Sequence, residues 1–342
     1  MKRAVVTGIT GQDGAYLAEH LLSQDYVVYG TYRKSQSPDF WRISFLGIQN
    51  HPHLHLLEFD LTSLDESIDL LKKTMPDEVY NLAADSSVGE PYKHPHETMR
   101  VNGLGPLNLL EAIRVVNSRV RFFQASSAEI FAKAIISPQS EDTPACPRNP
   151  YGAAKLYAQC MVDNYRDHYG IHGSNAILFN HESPLRGLEF VTRKITNSIA
   201  KIKLNKLDVL ELGNMDARRD WGFAGDYVKA MHLMLQADHG DTYVLATNRA
   251  ETVRDFVSMS CKAADIAIEW HGSGVDEVAI ERLSGKEIVR VNPKFYRPVE
   301  VGLLVGDTAK IESKLGWNAT TSLESLCALM VHADIQRVMK EK

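Results

Sequence analysis

Cysteine is scarce in this sequence, which has four such residues in 342, at positions 146, 160, 261 and 327. No two of them have the Cys-x-x-Cys spacing of a zinc site or a redox motif, and the set does not indicate a disulfide framework. The thiols are therefore interpreted as structural or incidental, and no bound metal is expected.

Long apolar runs are also missing. No stretch is long enough to span a bilayer, and the first three residues lead directly into a short strand, without the apolar core of a secretory signal. The net charge of -5 argues against a nucleic-acid-binding surface as the main activity. We expect a cytoplasmic protein that binds neither a membrane nor a nucleic acid.

Alternating strands and amphipathic helices fill the first half of the chain. Strands are predicted at residues 4–7, 27–31, 54–59, 78–82, 119–124 and 173–179, and helical segments at 16–23, 64–73 and 105–115. This alternation predicts an α/β fold with a doubly wound parallel Rossmann sheet, whose ligands gather outside the carboxyl ends of the strands.

The second half has shorter, mixed elements, and no repeat or flexible linker separates it from the first half. We expect a Rossmann dinucleotide-binding domain over residues 1–179, with later segments folding back onto it. Residues 180–342 are expected to form mainly a second, smaller α/β substrate-binding lobe that shares one cleft with the first.

A glycine-rich turn joins the first strand to the first helix. Gly8 permits the tight turn, Gly11 lets backbone N–H groups close on a phosphate, and Gly14 lets helix and strand pack closely. The spacing Gly-x-x-Gly-x-x-Gly predicts a dinucleotide site. It is not the commoner Gly-x-Gly-x-x-Gly, so a turn of this kind in another class of α/β domain is the alternative.

The end of the second strand indicates which dinucleotide binds. NAD-dependent folds usually have Asp or Glu there to bind the ribose 2′-hydroxyl, whereas this chain has Arg33 and Lys34. Two cations suit a 2′-phosphate, and a guanidinium can hold it with two hydrogen bonds, which favours NADP over NAD. A solvated charge pair at a strand end is the alternative interpretation.

A phenol and an ammonium lie four residues apart in Tyr151 and Lys155, on one face of a helix that Pro150 begins. The spacing alone arises by chance in a chain with this many tyrosines, but Ser127 and Glu129 follow a strand at the predicted ligand edge. Because the pKa of a free tyrosine is about 10, Tyr151 needs Lys155 and a positively charged cofactor ring to become a base near neutral pH. Ser127 would hydrogen-bond the same substrate oxygen.

Several motifs together resemble the extended short-chain dehydrogenase/reductase superfamily: the glycine turn, Asp60-Leu61, Asn-Leu-Ala-Ala at residues 81–84, Ser127 and Tyr151-x-x-x-Lys155. More narrowly, the blocks at residues 180–187 (Asn-His-Glu-Ser-Pro-Leu-Arg-Gly), 190–194, 219–222 (Arg-Asp-Trp-Gly) and 295–301 are similar to the GDP-mannose 4,6-dehydratase family. The resemblance covers nearly the whole chain.

The resemblance implies a hydro-lyase that converts a GDP-manno sugar, with GDP-mannose to GDP-4-keto-6-deoxymannose as the leading reaction. Hydride leaves sugar C4 for NADP as Tyr151 takes the 4-hydroxyl proton. Glu129 then removes the C5 proton and helps to expel the C6 hydroxyl as water, and hydride returns to C6. Glu129 separates a dehydratase from a simple reductase, unless it is only a solvent-exposed residue at a strand end.

The family pattern also implies which residues touch the ligands and how the chain assembles. The implied cofactor contacts are Gly8, Thr10, Gly11, Gln12, Asp13, Gly14, Arg33, Lys34, Asp60, Leu61, Leu82, Ala83, Ala84, Ser86, Tyr151, Lys155, His181 and Arg186. The implied substrate contacts are Ser86, Ser127, Glu129, Asn180, Val191, Lys194, Arg219 and Arg297. The segment at residues 33–42 reaches a neighbouring subunit's cofactor site in such enzymes, which implies a homotetramer, with a dimer as the alternative.

The sequence departs from the family pattern at a few positions: Asp85 for Gln, Ser127-Ala128 for Thr-Ser, Ala132 for Gly, Ala145-Cys146 for Phe-Tyr and Asn149 for Ser. The exchange of two aromatics for small side chains predicts more room beyond sugar C5, which makes a GDP-heptose or another GDP-sugar the alternative substrate. Drift outside the pocket would produce the same substitutions. A nucleotide-sugar 4-reductase or epimerase, and a non-catalytic NADP-sensing module, are further alternatives, although a module would not need Tyr151, Lys155 and Glu129 together.

Overall fold

A computed structural model describes residues 1–34, 38–85, 92–296 and 303–341. Its strands are β1 (Arg3–Thr7), β2 (Val27–Tyr32), β3 (Leu54–Glu58), β4 (Glu78–Asn81), β5 (Arg121–Ala125), β6 (Gly173–Leu178), β7 (Asn180–Glu182), β8 (Leu210–Leu212), β9 (Arg218–Arg219), β10 (Trp221–Phe223), β11 (Thr242–Leu245), β12 (Glu251–Thr252), β13 (Ile268–His271), β14 (Val278–Glu281) and β15 (Glu287–Val291).

The helices in these ranges are α1 (Gln12–Ser23), α2 (Trp41–Phe45), α3 (Leu64–Thr74), α4 (Pro95–Met99), α5 (Gly105–Val116), α6 (Pro150–Tyr169), α7 (Val191–Lys203), α8 (Ala224–Gln236), α9 (Val253–Ala263), α10 (Ala309–Leu315) and α11 (Leu323–Lys340). A π-helical turn, Arg100–Leu104, joins α4 to α5, and 3-10 turns cover Ala128–Phe131 and Gly274–Asp276. Within the described ranges no helix is both long and apolar enough to cross a membrane.

The central sheet has seven parallel strands in the order β11-β6-β5-β4-β1-β2-β3. Its inner strands are buried along almost their whole length, because helices cover both faces of a doubly wound parallel sheet. This confirms the predicted α/β Rossmann architecture. The chain runs outward in opposite directions on the two sides of β1, so a ligand crevice is expected at the carboxyl ends of β1 and β4.

A second sheet, in the order β13-β14-β15-β8, belongs to the second half of the chain. Helices α7, α9 and α11 pack with it around a core that contains the fully buried Phe256, Met330 and Val331. Trp221 of β10 packs edge-on against Phe256, with ring centroids 5.2 Å apart. Strand β11 comes from the same half of the sequence but joins the edge of the central sheet beside β6.

A buried ion pair connects α7 to α11. The Arg193 Nε atom lies 2.8 and 2.9 Å from the two carboxylate oxygens of Asp334, and Thr196 donates to the same carboxylate at 2.7 Å. Arg193 also donates through NH1 to the backbone carbonyls of Pro184 and Arg186, at 3.0 and 2.8 Å. The pair therefore holds the 184–186 segment against the helices of the second lobe.

The predicted element boundaries differ from the structure by more than one residue in two places. The first helix begins at Gln12 and not at residue 16, because Gly11, with extended backbone angles, already acts as its N-cap residue. The fifth strand runs from Arg121 to Ala125 and not over 119–124, because the residues after α5 form a turn closed by the Val120 N–H bond to the Asn117 carbonyl.

Candidate active site

One large cleft of about 1220 Å³ opens at the carboxyl ends of the central strands. Most of the predicted site residues line it: Gly8, Thr10, Gly11, Gln12, Asp13, Gly14, Arg33, Lys34, Asp60, Leu61, Leu82, Ala83, Ala84, Ser127, Glu129, Tyr151, Lys155, Asn180, His181, Arg186 and Arg219. Residues that are distant in the sequence thus share one cavity, as expected at the switch point of a doubly wound sheet.

The glycine turn forms the floor of the cleft. Gly8 has a φ of +72°, and a Cβ there would lie 2.9 Å from the backbone of Ala83 after β4. A Cβ at Gly14 would overlap the Gly8 carbonyl oxygen. No described side chain caps α1 at Gly11, so the first-turn N–H groups of this helix are available to an anion such as a diphosphate.

Asp13 and His181 form a partly buried ion pair beside this turn. The His181 Nε2 atom lies 2.9 Å from Asp13 Oδ2, and Nδ1 lies 2.7 Å from the Phe179 carbonyl oxygen. Both partners are hydrogen-bond acceptors, an arrangement that favours the doubly protonated imidazolium ring. Burial opposes the charge, but the Asp13 carboxylate and these hydrogen bonds raise the pKa of His181. Burial likewise opposes ionisation of Asp13, yet His181 and Gln12 lower the pKa of that carboxyl. The pair neutralises the Asp13 charge where an anion would bind.

The far end of the cleft carries charges that sequence reasoning missed. Glu97 of α4 accepts from Arg33 at 3.2 Å and lies 3.4 Å from Arg100 NH1. Hydrogen bonds from Thr62, at 2.9 and 2.8 Å, lower the pKa of the Asp60 carboxyl, and Arg100 and Arg33 add to this effect. Both Glu97 and Arg100 line the cavity. Glu97 and Arg100 come after β4, whose carboxyl end was expected to face the ligand. No sequence motif linked these two residues with Arg33.

Arg42 contacts its own subunit's glycine turn. Its Nε donates to the Leu185 carbonyl at 2.8 Å, and NH1 donates to the Thr10 carbonyl at 2.9 Å. It lines the same cavity. The side chain thus joins the second strand's connection to the cleft, and the contact of residues 33–42 with a neighbouring subunit stays a prediction.

Tyr151 is on the first turn of α6, facing the Ser127 end of β5. Burial raises the pKa of Tyr151 to about 12, although a hydrogen bond with Ser127 and the charge of Arg186 act in the opposite direction. The phenol of the chain alone therefore stays protonated at neutral pH. A further positive charge beside it is needed for proton abstraction.

Lys155 lies one turn further along the same face of α6 and is almost completely buried. Its Nζ donates to the Ala125 carbonyl at 2.8 Å and lies 5.7 Å from the centre of the Tyr151 ring. Burial lowers the pKa of Lys155 to about 8, an effect that Asp13 partly opposes. The ammonium is thus fixed near the Tyr151 ring.

Glu129 is in the 3-10 turn that follows β5. Its backbone N–H bonds to Ser127 Oγ at 3.2 Å, so Ser127 caps the turn as well as lining the cleft. The Glu129 carboxylate accepts from Asn149 Nδ2 at 3.0 Å. Three groups able to handle protons, Ser127, Glu129 and Tyr151, therefore share one wall of the cavity.

The expected substrate contacts are less closely grouped. Asn180 and Arg219 line the cleft, but the described cavity lining does not include Val191 or Lys194 of α7. The Lys194 Nζ donates to the Glu211 carbonyl at 2.6 Å, lies 4.6 Å from the Phe295 ring centre, and has a pKa lowered by burial. Ser86 and Arg297, also expected to bind ligand, lie outside the described residues.

Known proteins are similar to this chain over nearly its whole length. A sequence model described as GDP-mannose 4,6 dehydratase matches residues 5–330. The GDP-mannose 4,6-dehydratase of Yersinia enterocolitica is 47% identical, over 98% of this chain and 95% of that protein. The human GDP-mannose 4,6 dehydratase is 45% identical, over 97% and 91%. This chain belongs to the GDP-mannose 4,6-dehydratase family.

Solved structures with the same fold include more distant proteins. RMD of Pseudomonas aeruginosa, complexed with NADPH, superposes with a TM-score of 0.78 at 22% identity, over 98% of this chain and 100% of that chain. The dTDP-glucose 4,6-dehydratase of Bacillus anthracis, in complex with NAD, gives 0.81 at 16% identity, over 99% and 98%. These similarities establish the shared architecture.

The blocks that carry the family resemblance are neighbours in space. Strand β7, which holds Asn180 and His181, pairs in parallel with β10, so Asn180 lies opposite Trp221. Asp220 accepts from the backbone and hydroxyl of Thr247, at 3.0 and 2.8 Å, and burial raises the pKa of Asp220 to about 6. The two family blocks thus form one wall between the central sheet and the second lobe.

The departures from the family pattern fall in different environments. Asp85 lines the cleft, Ala132 is buried, and Asn149 contacts Glu129. Ala145 and Cys146 are exposed, and neither is among the described residues that line the cavity. The larger sugar pocket expected from these two small side chains therefore stays a prediction.

Proposed function

We propose that this enzyme dehydrates a GDP-manno sugar with NADP as cofactor, converting GDP-mannose to GDP-4-keto-6-deoxymannose. The observation that carries the proposal is the shared wall of Ser127, Glu129 and Tyr151 in the cleft that contains the glycine turn. A carboxylate beside the Tyr–Ser pair is what elimination requires in addition to oxidation. The names of the family relatives support the same substrate and reaction.

The described residues fit a nicotinamide dinucleotide. The uncapped first turn of α1 and the glycine backbone suit the diphosphate, while the Asp13–His181 pair removes the repulsion that an isolated carboxylate would cause. When bound, the cofactor would supply a hydride acceptor for sugar C4 and then a hydride donor for C6, with no net oxidation or reduction.

Arg33 and Lys34 favour NADP, but Glu97 acts against them. A 2′-phosphate would have to draw the Arg33 guanidinium from the Glu97 carboxylate, whereas a ribose 2′-hydroxyl could donate to that carboxylate. The preference for NADP is therefore expected to be the balance of these two interactions.

Arg33→Asp is expected to weaken NADP binding by about 10- to 100-fold and to invert the preference toward NAD, because it replaces a charge-assisted phosphate contact with a repulsion. Glu97→Gln is expected to change the preference in the other direction. Fluorescence titration of both cofactors measures this, with the exposed Arg119→Asp outside the cleft as the charge-matched control. Tighter binding of NAD than of NADP by the unmodified enzyme would contradict the proposal.

Tyr151 is the proposed base for proton transfer at sugar C4. It takes the proton of the 4-hydroxyl as the C4–H bond breaks and the C4 ketone forms, and Ser127 hydrogen-bonds the same oxygen. Lys155 supplies fixed positive charge on the same face of α6. Burial keeps the Tyr151 phenol protonated in the chain without ligands. The phenol is proposed to act as a base only when further positive charge is bound beside it.

Glu129 performs the elimination. The C4 ketone acidifies C5, so the Glu129 carboxylate accepts the C5 proton while a double bond forms between C5 and C6. The C6–O bond breaks and the hydroxyl leaves as water with the proton that Glu129 carries. Hydride return to C6 also requires a proton at C5, which balances the proton that Tyr151 took from the 4-hydroxyl, so both residues end in their starting protonation states.

Glu129→Gln is expected to permit oxidation at C4 but to stall the elimination, because an amide cannot accept the C5 proton. Mass spectrometry of quenched reactions is expected to detect a 4-keto hexose and little 6-deoxy product. Glu189→Gln, which neutralises another carboxylate of the cleft, is the control. Release of 6-deoxy product by Glu129→Gln at a near-normal rate would identify another group as the C5 base.

The nucleotide end of the substrate is assigned to the lobe built mainly from residues 180–342. Asn180, Val191, Lys194, Arg219 and Arg297 are proposed to bind the GDP moiety, where guanidinium groups suit a diphosphate. Ser86 is proposed to contact both ligands. The proposed assembly is a homotetramer.

A panel of GDP-sugars tests the proposal as a whole. Conversion of GDP-mannose to a product lighter by one water supports it, and preferential turnover of a GDP-heptose would identify the alternative substrate. Reduction or epimerisation at C4 without loss of water would instead assign a 4-reductase or an epimerase.

A further inference from the structure

We propose that Asn149 is the positioning residue for Glu129, holding its carboxylate toward the substrate while capping the helix that bears Tyr151. The inference rests on the proposed role of Glu129 as the C5 base. It concerns a position where this chain departs from the Ser of the family pattern.

The two ends of the Asn149 amide have different partners. Oδ1 accepts from the Gly152 backbone N–H at 2.8 Å, which makes Asn149 the N-cap of α6. Nδ2 donates to Glu129 Oε2 at 3.0 Å. A backbone N–H can only donate and an ionised carboxylate can only accept, so these partners determine the orientation of the amide.

The backbone keeps these groups in register. A Cβ at Gly152 would lie 2.7 Å from the Glu129 carbonyl oxygen, so the first turn of α6 packs directly on the 3-10 turn that carries Glu129. The Cys146 N–H also bonds to the Ile130 carbonyl at 2.7 Å. The chain before α6 is thus attached to the same turn, and Asn149 has little freedom to leave Glu129.

The bond has a chemical consequence for the elimination step. It directs one carboxylate oxygen, Oε2, toward Asn149 and leaves Oε1 to accept the C5 proton. It also restricts the rotation of a side chain at the edge of a cleft. A serine hydroxyl can accept and donate, but its single oxygen would have to reach both partners at once, whereas Asn149 contacts Gly152 and Glu129 with separate atoms. The asparagine therefore adds positioning to capping.

The test separates the two functions of Asn149 by the two chemical steps. C4 oxidation depends on Tyr151 and is followed by the absorbance of reduced cofactor in a single turnover. Elimination depends on Glu129 and is followed by the mass of quenched products. Asn149→Ser keeps a cap acceptor, Asn149→Asp keeps the cap and the size but places a like charge beside Glu129, and Asn149→Ala removes both contacts.

We expect Asn149→Ser to slow elimination by about 10- to 100-fold, the effect of losing a hydrogen bond to a charged group, with C4 oxidation nearly unchanged. Asn149→Asp is expected to slow elimination at least as much. Asn149→Ala is expected to slow both steps, because loss of the cap also disturbs the first turn of α6.

Three results would overturn the inference, and they are distinguishable. If Asn149→Ser and Asn149→Asp leave elimination unchanged while Glu129→Gln stalls it, Glu129 is the base but Asn149 does not position it. If Asn149→Ser slows oxidation and elimination equally, its role is only structural. If Glu129→Gln does not stall elimination, the proposed role of Glu129 fails, and the inference fails with it.

Discussion

Tyr151→Phe is expected to reduce turnover by about 10²- to 10⁴-fold, the range of a lost general acid–base group. The substitution removes only the phenol oxygen, and the ring stays between α6 and the end of β5. Cofactor affinity is therefore expected to change little, and neither C4 oxidation nor 6-deoxy product is expected to be detected at normal rates. Single-turnover absorbance and equilibrium cofactor titration measure the two effects separately.

Tyr157→Phe provides the matched control, because it removes a hydroxyl from the same helix at a residue outside the described lining of the cleft. Its turnover is expected to equal that of the unmodified enzyme. A Tyr151→Phe enzyme that oxidises C4 at more than a tenth of the normal rate would show that another group takes the 4-hydroxyl proton.

Asp334→Ala is expected to lower the free energy of unfolding by about 3–5 kcal/mol, because it leaves the Arg193 guanidinium buried without its counter-charge. Asp334 is completely buried, and Arg193 is nearly so. Chemical denaturation monitored by circular dichroism measures the loss. Gln336→Ala, an exposed position two residues later on α11, is expected to change stability by less than about 0.5 kcal/mol.

Replacing both partners, as in Arg193→Met with Asp334→Leu, is expected to recover only part of this loss. Apolar side chains avoid the unpaired charge, but the carbonyls of Pro184 and Arg186 lose the donors that Arg193 supplies. Because this segment adjoins the cleft, the double variant is also expected to bind cofactor more weakly. An Asp334→Ala protein as stable as Gln336→Ala would mean that solvent or a rearranged side chain compensates the guanidinium.

The cavity wall that contains Ser127, Glu129 and Tyr151 illustrates which contacts can be predicted from spacing in the sequence. Tyr151 and Lys155 are one turn apart on a single helix, so their common face follows from helical geometry and was predictable. Ser127 and Glu129 follow a strand of a parallel sheet, which identifies the edge on which they lie. Spacing did not indicate that Asn149 would contact Glu129, because that contact depends on how closely α6 approaches the 3-10 turn.

At the cofactor end of the cleft, the sequence did not indicate all the charges. Arg33 and Lys34 were predicted to bind a 2′-phosphate because no carboxylate follows β2. The structure nevertheless places a carboxylate against Arg33, that of Glu97 in α4, 64 residues further along the chain. Ala145 and Cys146, expected to enlarge the sugar pocket because they precede Tyr151 closely, are exposed and are not among the described residues that line the cleft. A larger sugar pocket therefore stays a prediction.

By itself, the sequence determined the α/β class, the glycine turn, the Tyr–Lys helix and the family, because each depends on periodicity or spacing within one or two elements. The tertiary structure alone decided the charge partners: His181 with Asp13, 168 residues apart, Arg193 with Asp334, 141 apart, and Arg33 with Glu97. The physical reason is that the burial and charge of these groups depend on elements that meet only when the sheet and the second lobe have packed. No local sequence pattern predicts which of these charged groups lie close together in the fold.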